Sequence, residues 1–249
     1  MCIKKKGFNI AIDGLSGAGK SSIGYQVAKR LNFTFIDSGL FYRYIADRFY
    51  LDDTIQLNEI RLFKNEMIGS PSYYLQEIEF HLQEKTSQEK LQIGQKASEI
   101  SKIPEIRNII NEIIQTIVKN DGYVVVGRDA TTKILPNAKV KLVLEADFET
   151  RVYRRTKQLN IEEFGAIGKV FSDLLKHDVD AFDLILEAKK VATIINTSDL
   201  SIEQVVARIL LRISWIEFGD NNMLHIIIFI LFVFVYTLRV HFSEKIESN

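Results

Sequence analysis

Among 249 residues there is a single cysteine, Cys2, and there are only three prolines. One thiol excludes a disulfide framework and a cysteine-based metal site, and it suits a reducing compartment. Net charge is missing too. Lys+Arg and Asp+Glu balance at 32 each, so composition makes no electrostatic case for a nucleic-acid partner. No internal repeat and no low-complexity linker interrupts the chain. Lysines at positions 4 to 6 are followed by nothing longer than a strand, which argues against a signal peptide and for a cytoplasmic protein. The hydrophobic share of 47% is ample for a core, and the length suits one domain with or without an appendage.

One segment lacks charge altogether. Asn221 to Leu238 has no formally charged residue, and Ile226 to Val235 is unbroken apolar sequence. At about 18 residues it lies at the short end of what spans a bilayer. A membrane anchor through residues 223–240 is the favoured reading, ahead of an aggregation-prone strand or a helix buried in an oligomer. Residues 1–218 are expected to form the globular domain and 219–249 an apolar tail.

Strand-like runs at 8–13, 33–36, 123–126, 140–145 and 191–195 alternate with amphipathic stretches such as 104–120 and 147–159. Alternation of this kind predicts βαβ units and a parallel sheet flanked by helices. Residues 51–100 break the rhythm without a clear strand and read as an insertion. Pro104 fits the first turn of a helix, with Ser101 as its N-cap. Residues 160–190, charged and weakly periodic, suit a mobile lid, within which His177 reads as a solvated histidine. Residues 201–216 place Ile202, Val205, Val206, Ile209, Leu210 and Ile213 on one helical face.

The chemistry begins at Gly14-Leu15-Ser16-Gly17-Ala18-Gly19-Lys20-Ser21, followed by Ser22. The run fits G-x-x-x-x-G-K-[ST], with a short apolar strand before it and a helical pattern after it. Glycines let backbone N–H groups point at phosphate oxygens, and the helix terminus adds its dipole. Lys20 reaches the outer phosphates and the Ser21 hydroxyl can ligate Mg²⁺. Two further loops end on arginine at strand termini: Asp37-Ser38-Gly39-Leu40-Phe41-Tyr42-Arg43 and Gly127-Arg128-Asp129. Guanidinium forks match phosphate oxygens, so a second phosphate site facing the first is expected.

The combination resembles the bacterial cytidylate kinase family. The likeness rests on Ile10 to Ser21, Asp37-Ser38-Gly39 with Tyr42-Arg43, and Ala97-Ser98-Glu99-Ile100-Ser101 leading into Ile103-Pro104-Glu105-Ile106-Arg107. It continues through Gly127-Arg128-Asp129 with Leu135-Pro136-Asn137-Ala138, then Arg151-x-x-Arg154-Arg155, and Asn196-Thr197-Ser198. The resemblance implies an α/β P-loop nucleoside monophosphate kinase fold with a five-stranded parallel sheet. It also implies an acceptor-binding insertion at about 51–100 and a lid at about 155–190. The implied reaction is ATP- and Mg²⁺-dependent phosphorylation of CMP or dCMP by a monomeric kinase domain. Ser98, Arg107 and Asp129 would read the base, and Arg43 and Arg128 with Ser38 would grip the acceptor phosphate. Lys20, Arg128, Arg154 and Arg155 would serve catalysis, and Gly14, Ser16, Gly17, Ala18, Gly19, Lys20, Ser21 and Ser22 would hold ATP.

The chain departs from the family in the lid. Where an R-D-x-x-D-x-x-R segment and a Pro-Leu pair are usual, it has Lys176-His177-Asp178-Val179-Asp180-Ala181-Phe182-Asp183. Val126 stands where an acidic residue often precedes Gly-Arg-Asp, and Ala130-Thr131-Thr132 replaces a glycine-containing turn. Each missing arginine removes a contact to developing phosphoryl charge. The alternative this leaves is a catalytically weak, membrane-tethered nucleotide-binding module acting through a partner.

Overall fold

The structure, a computed structural model, describes residues 7–51 and 54–218. In chain order, β1 (Ile10–Gly14) leads to α1 (Lys20–Leu31), β2 (Thr34–Asp37) and α2 (Ser38–Phe49). A two-strand hairpin, β3 (Tyr50–Leu51) and β4 (Thr54–Ile55), opens the insertion. Helices α3 (Leu57–Gly69), α4 (Pro71–Gln83), α5 (Ser87–Ile100) and α6 (Pro104–Ile117) follow. Next come β5 (Tyr123–Gly127), a π turn over Ala130–Ile134, β6 (Val140–Glu145) and α7 (Phe148–Gln158). A long α8 (Phe164–Val191), β7 (Thr193–Asn196) and α9 (Ile202–Phe218) complete the described chain.

Five strands form one parallel sheet in the order β2-β5-β1-β6-β7. Parallel strands covered on both faces must be apolar along their whole length rather than alternating. β1 obeys this: every residue is buried, and Ile12 pairs with Val126 on one side and Leu142 on the other. The five expected strands are all present, with ends shifted by a residue or two. The expected run from Val191 starts late because Val191 still belongs to α8 and Ala192 caps it.

α6 buries Ile106, Ile109, Ile110, Ile113, Ile114 and Ile117, which is a continuous stripe at helical spacing. The stripe joins α2, α3, α4 and α5 in the largest core cluster. Two expectations fail here. The N-cap of α6 is Ile103, directly before Pro104 at N1 and without a side-chain cap, so Ser101 lies two residues too early. Ser101 instead ends α5, and its Oγ donates to Ser98 O at 2.8 Å. The insertion also contains the short hairpin that alternation alone could not reveal. Between its helices, Tyr44, Phe49, Phe63, Tyr73 and Tyr74 line a cavity of about 350 Å³ together with Glu59, Glu66 and Glu77.

Residues from Asp199 onward form a second unit. Its helix α9 starts with a reciprocal cap: Gln204 N donates to Ser201 Oγ at 3.3 Å, and Ser201 N donates to Gln204 Oε1 at 2.9 Å. Val205, Val206, Ile209, Leu210 and Ile213 are buried as expected, whereas Ile202 is 41% exposed. The apolar tail lies outside the described residues. Among the described residues no helix is long and apolar enough to cross a membrane.

One buried carboxylate connects the central strand to its neighbour's loop. Asp13, fully buried, accepts from Ala130 N (2.8 Å), Thr131 N (2.8 Å) and Thr131 Oγ1 (2.6 Å). It thereby holds the first residues of the π turn directly after Arg128 and Asp129. Burial nevertheless pushes its carboxyl above the usual range, against the pull of those three donors. Asp13→Ala would strand all three donors in a dry interior. The substitution should lower unfolding stability by about 3 kcal/mol, read as a shifted urea midpoint at unchanged m-value. A loss below about 1 kcal/mol would show that the loop is held by something else.

Candidate active site

The loop between β1 and α1 turns because two glycines permit it. Gly14 has φ +154° and a Cβ there would fall 2.3 Å from Leu144 O. Gly17 has φ +79°, and its Cβ would meet Arg151 O at 2.9 Å. Ala18 N closes the turn on Leu15 O at 3.3 Å, and Ile23 N on Gly19 O at 2.9 Å starts the helix. Free N–H groups at the start of α1 therefore face the space above the loop, a ready anion site. Ser22 sits exposed in the first turn, while Ser16 lends its carbonyl to Arg151 Nη1 at 3.2 Å.

Lys20 lies back across the loop, its Nζ donating to Leu15 O at 2.8 Å. Burial, with Arg128 and Arg43 nearby, pushes its ammonium down to about 8, although Asp37 and Asp13 oppose this. Beside it Ser21 Oγ donates to Asp37 Oδ2 at 2.5 Å, and Asp37 Oδ1 accepts from Gly39 N at 2.9 Å as the cap of α2. A hydroxyl and a carboxylate side by side are hard oxygen donors. Mg²⁺ is bound in just this manner, by one or two protein oxygens plus phosphate and water. Asp37 carries no role in the sequence reading beyond its motif; its contact with Ser21 spans two elements and leaves no local signature.

Across from Lys20 stand three arginines. Arg128 is held below its usual value by burial, then by Arg43 and Arg107; Arg155 is pushed down to about 10 by burial and by Arg43. Neither Arg43 nor Arg128 is in an ion pair among the described residues. Ser38 is buried and packs against Gly127, where a Cβ would come within 2.6 Å of its Oγ. Four cations, on α1, α2, α7 and the loop after β5 rather than all on loops, thus crowd together, with Arg43 acting on Lys20, Arg128 and Arg155. Such an arrangement is complementary to anionic oxygens and costs stability without them.

Next to this cluster is a polar network. Arg107 Nη1 donates to Asp129 Oδ2 at 2.7 Å, and Nη2 to Ser101 O at 2.7 Å. Burial works against the Arg107 charge, but Tyr42 and Asp129 hold it above its usual value. Arg107 also lies over the Tyr42 ring, 5.9 Å from its centroid. Among the described residues the buried Tyr42 hydroxyl has no hydrogen-bond partner, and only the motif's Tyr-Arg pair pointed to this position. Ser98 is 7% exposed and forms a 2.9 Å hydrogen bond with His177 Nδ1. His177 is therefore not a solvated lid residue. Burial, reinforced by Arg128, pushes its imidazole down to about 4.

The segment expected to form a lid is largely the single helix α8, fastened by a residue without an assigned role in the sequence reading. Arg151 forms a two-pronged pair with Asp178 at 2.8 and 2.5 Å, and its Nε donates to Ala146 O at 3.1 Å. With its bond to Ser16, this buried guanidinium connects the phosphate loop, the start of α7 and α8. Arg154 is not brought to the cation cluster. It turns to Thr197, reaching Oγ1 at 3.1 Å and the carbonyl at 2.6 Å, while Thr197 Oγ1 donates to Ala18 O at 3.2 Å. Arg155 does join the cluster.

A phosphate loop opposed by arginines from the neighbouring strand ends, on this sheet order, is the P-loop nucleoside monophosphate kinase fold. The sequence model of the cytidylate kinase family matches residues 10–214. The chain is 37% identical over 218 residues to the cytidylate kinase of Mycoplasmopsis pulmonis, covering 82% of this chain and 95% of that one. It is 36% identical over 219 residues to that of Mycoplasma capricolum subsp. capricolum, covering 84% and 96%. Against that of Aquifex aeolicus it is 32% identical over 212 residues, covering 81% and 93%. The chain belongs to the cytidylate kinase family.

The depressed Lys20 makes phosphate binding visible as a proton. A polyanion favours the ammonium, so Lys20 titrates at higher pH once a triphosphate is bound and must take up a proton on binding near pH 8. Calorimetric titration with a nucleoside triphosphate in buffers of different ionisation enthalpy should show uptake of about half a proton at pH 8. Uptake should decline towards pH 6.5 and be lost in Lys20→Met. Equal heats in all buffers at pH 8 would contradict the placement of Lys20.

Proposed function

We propose that the chain transfers the γ-phosphoryl group of ATP to the 5′-phosphate of CMP or dCMP. A phosphate oxygen of the acceptor forms the new P–O bond, the bond to the β,γ-bridging oxygen breaks, and CDP or dCDP and ADP leave. The observation that carries this reading is the Ser98–Arg107–Asp129 group directly beside Arg128. Cytosine presents two acceptors, O2 and N3, and one amino donor. Arg107 can only donate, whereas the Asp129 carboxylate can only accept, so the pair is complementary to that edge. A base with the opposite pattern would leave buried polar groups unpaired.

The remaining roles follow from charge. Arg43 and Arg128, with Ser38 beside them, hold the acceptor phosphate. The loop from Gly14 to Ser22 cradles the donor phosphates. Lys20 leaves Leu15 O for the transferring group, and Arg155 supplies charge from the lid entry. Ser21 and Asp37 would hold Mg²⁺, which supplies further neutralisation of the phosphate charge. Arg154 is assigned to bracing the phosphate loop through Thr197 rather than to the acceptor side. No covalent nucleophile is required, because alignment and electrostatics account for this chemistry.

A coupled ADP-release assay on the full chain, with ATP·Mg²⁺ and each nucleoside monophosphate, tests the reading. Turnover should be fastest with CMP and dCMP, and Arg128→Ala should lower kcat/KM for CMP roughly a hundredfold or more. Absence of CMP turnover with intact ATP binding would overturn it and favour a nucleotide-binding module.

A further inference from the structure

The contact between Ser98 and His177 joins residues 79 apart in sequence. It rests on a fixed frame. On either side of His177 the same helix is tied down: Asp178 to Arg151, Asp180 to Lys102 at 2.8 Å, and Asp173 to Gln95 at 3.3 Å. The imidazole is therefore presented to Ser98 by three independent anchors.

A serine hydroxyl has one hydrogen and two lone pairs, so the group that takes its hydrogen decides how it meets a ligand. If the hydrogen is committed elsewhere, the oxygen is left as an acceptor. Here that distinction separates two pyrimidines. Cytosine carries an amino donor at the position where uracil carries a carbonyl acceptor. Arg107 is already committed to Asp129 and the Ser101 carbonyl, and it cannot accept. The amino group must be met by acceptors.

Resting on the cytidylate kinase reading above, we propose that His177 is a positioning residue for base selection. Its Nδ1 takes the Ser98 hydrogen, fixing Ser98 Oγ as an acceptor for the cytosine amino group and against the uracil carbonyl. The assignment places the ring proton on Nε2. A neutral ring suits this role, because a charged imidazolium would donate to Ser98 and release its hydrogen. The surroundings favour the neutral ring: burial first, then Arg128 and Arg155, disfavour a second proton, against the opposite pull of Asp173 and Asp180.

The test compares kcat/KM for CMP and UMP in the unmodified full chain, His177→Leu, His177→Phe, His177→Asn, Ser98→Ala and the His177→Leu/Ser98→Ala double variant. Both apolar substitutions should lower the CMP:UMP ratio about tenfold, mainly through KM for CMP with kcat largely kept. The double variant should lose no more than Ser98→Ala alone. His177→Asn, whose amide oxygen reaches the position of Nδ1, should retain most of the ratio. Having two apolar replacements guards against one that does not fold. Equal losses for CMP and UMP, or additive losses in the double variant, would overturn the role of His177 while leaving the kinase reading intact. An unmodified protein without preference for CMP would overturn both.

Discussion

Asp13 is a fully buried carboxylate in a mostly apolar interior, held there by three donors from the next strand's loop. It is the penultimate residue of the central strand. Gly14, its neighbour, begins the phosphate loop; Ala130, its partner, directly follows the Arg128-Asp129 pair. The two halves of the site therefore share one anchor, and neither loop can shift without disturbing the other. Burying an ionisable group this deeply is unfavourable, as its raised pKa records. The hydrogen bonds offset that cost and convert it into position.

A second cost lies in the cations. Lys20, Arg128 and Arg155 are all held below their ordinary pKa values by burial and by other cations. A protein selected for stability alone would pair or expose them. Among the described residues none of the three forms an ion pair; Lys20 and Arg155 donate only to the Leu15 carbonyl and the Gln158 amide, so the fold holds unfavourable electrostatics that anionic ligands would relieve. The apolar core running from α2 through α6 supplies the surplus that tolerates this. Arg151 is the contrasting case. Its charge is matched by Asp178 and carbonyls, and it holds α8 against the phosphate loop.

How much of this could be read from the sequence depended on how local the signal was. The phosphate loop was legible because its glycines, lysine and flanking strand and helix lie within about twenty residues. The five strands were legible because buried parallel strands are unbroken apolar runs. The trio proposed to read the base came only through resemblance, since nothing local distinguishes Ser98 from a surface serine. Residues 160–190 were hard to read for a physical reason. α8 buries Val170, Leu174, Ala181, Ile185 and Ala188 while exposing Phe171, Val179 and Phe182, so its periodicity is blurred. His177, Asp178 and Asp180 find partners on α5, on α7 and just beyond α5, and the sequence carries no mark of those long-range contacts. Ser101 is not the cap because it lies two residues before the N-cap, Ile103, and ends α5 instead.

The central claim is that one preformed cluster of cations, with the polar network beside it, receives both nucleotides. A crystal structure with CMP and a non-hydrolysable ATP analogue tests it most directly. The account predicts the CMP phosphate on Arg43 and Arg128, its cytosine edge on Ser98, Arg107 and Asp129, and Lys20 moved from Leu15 O to the donor phosphates. A CMP phosphate bound away from both arginines, or a base turned away from that network, would contradict it.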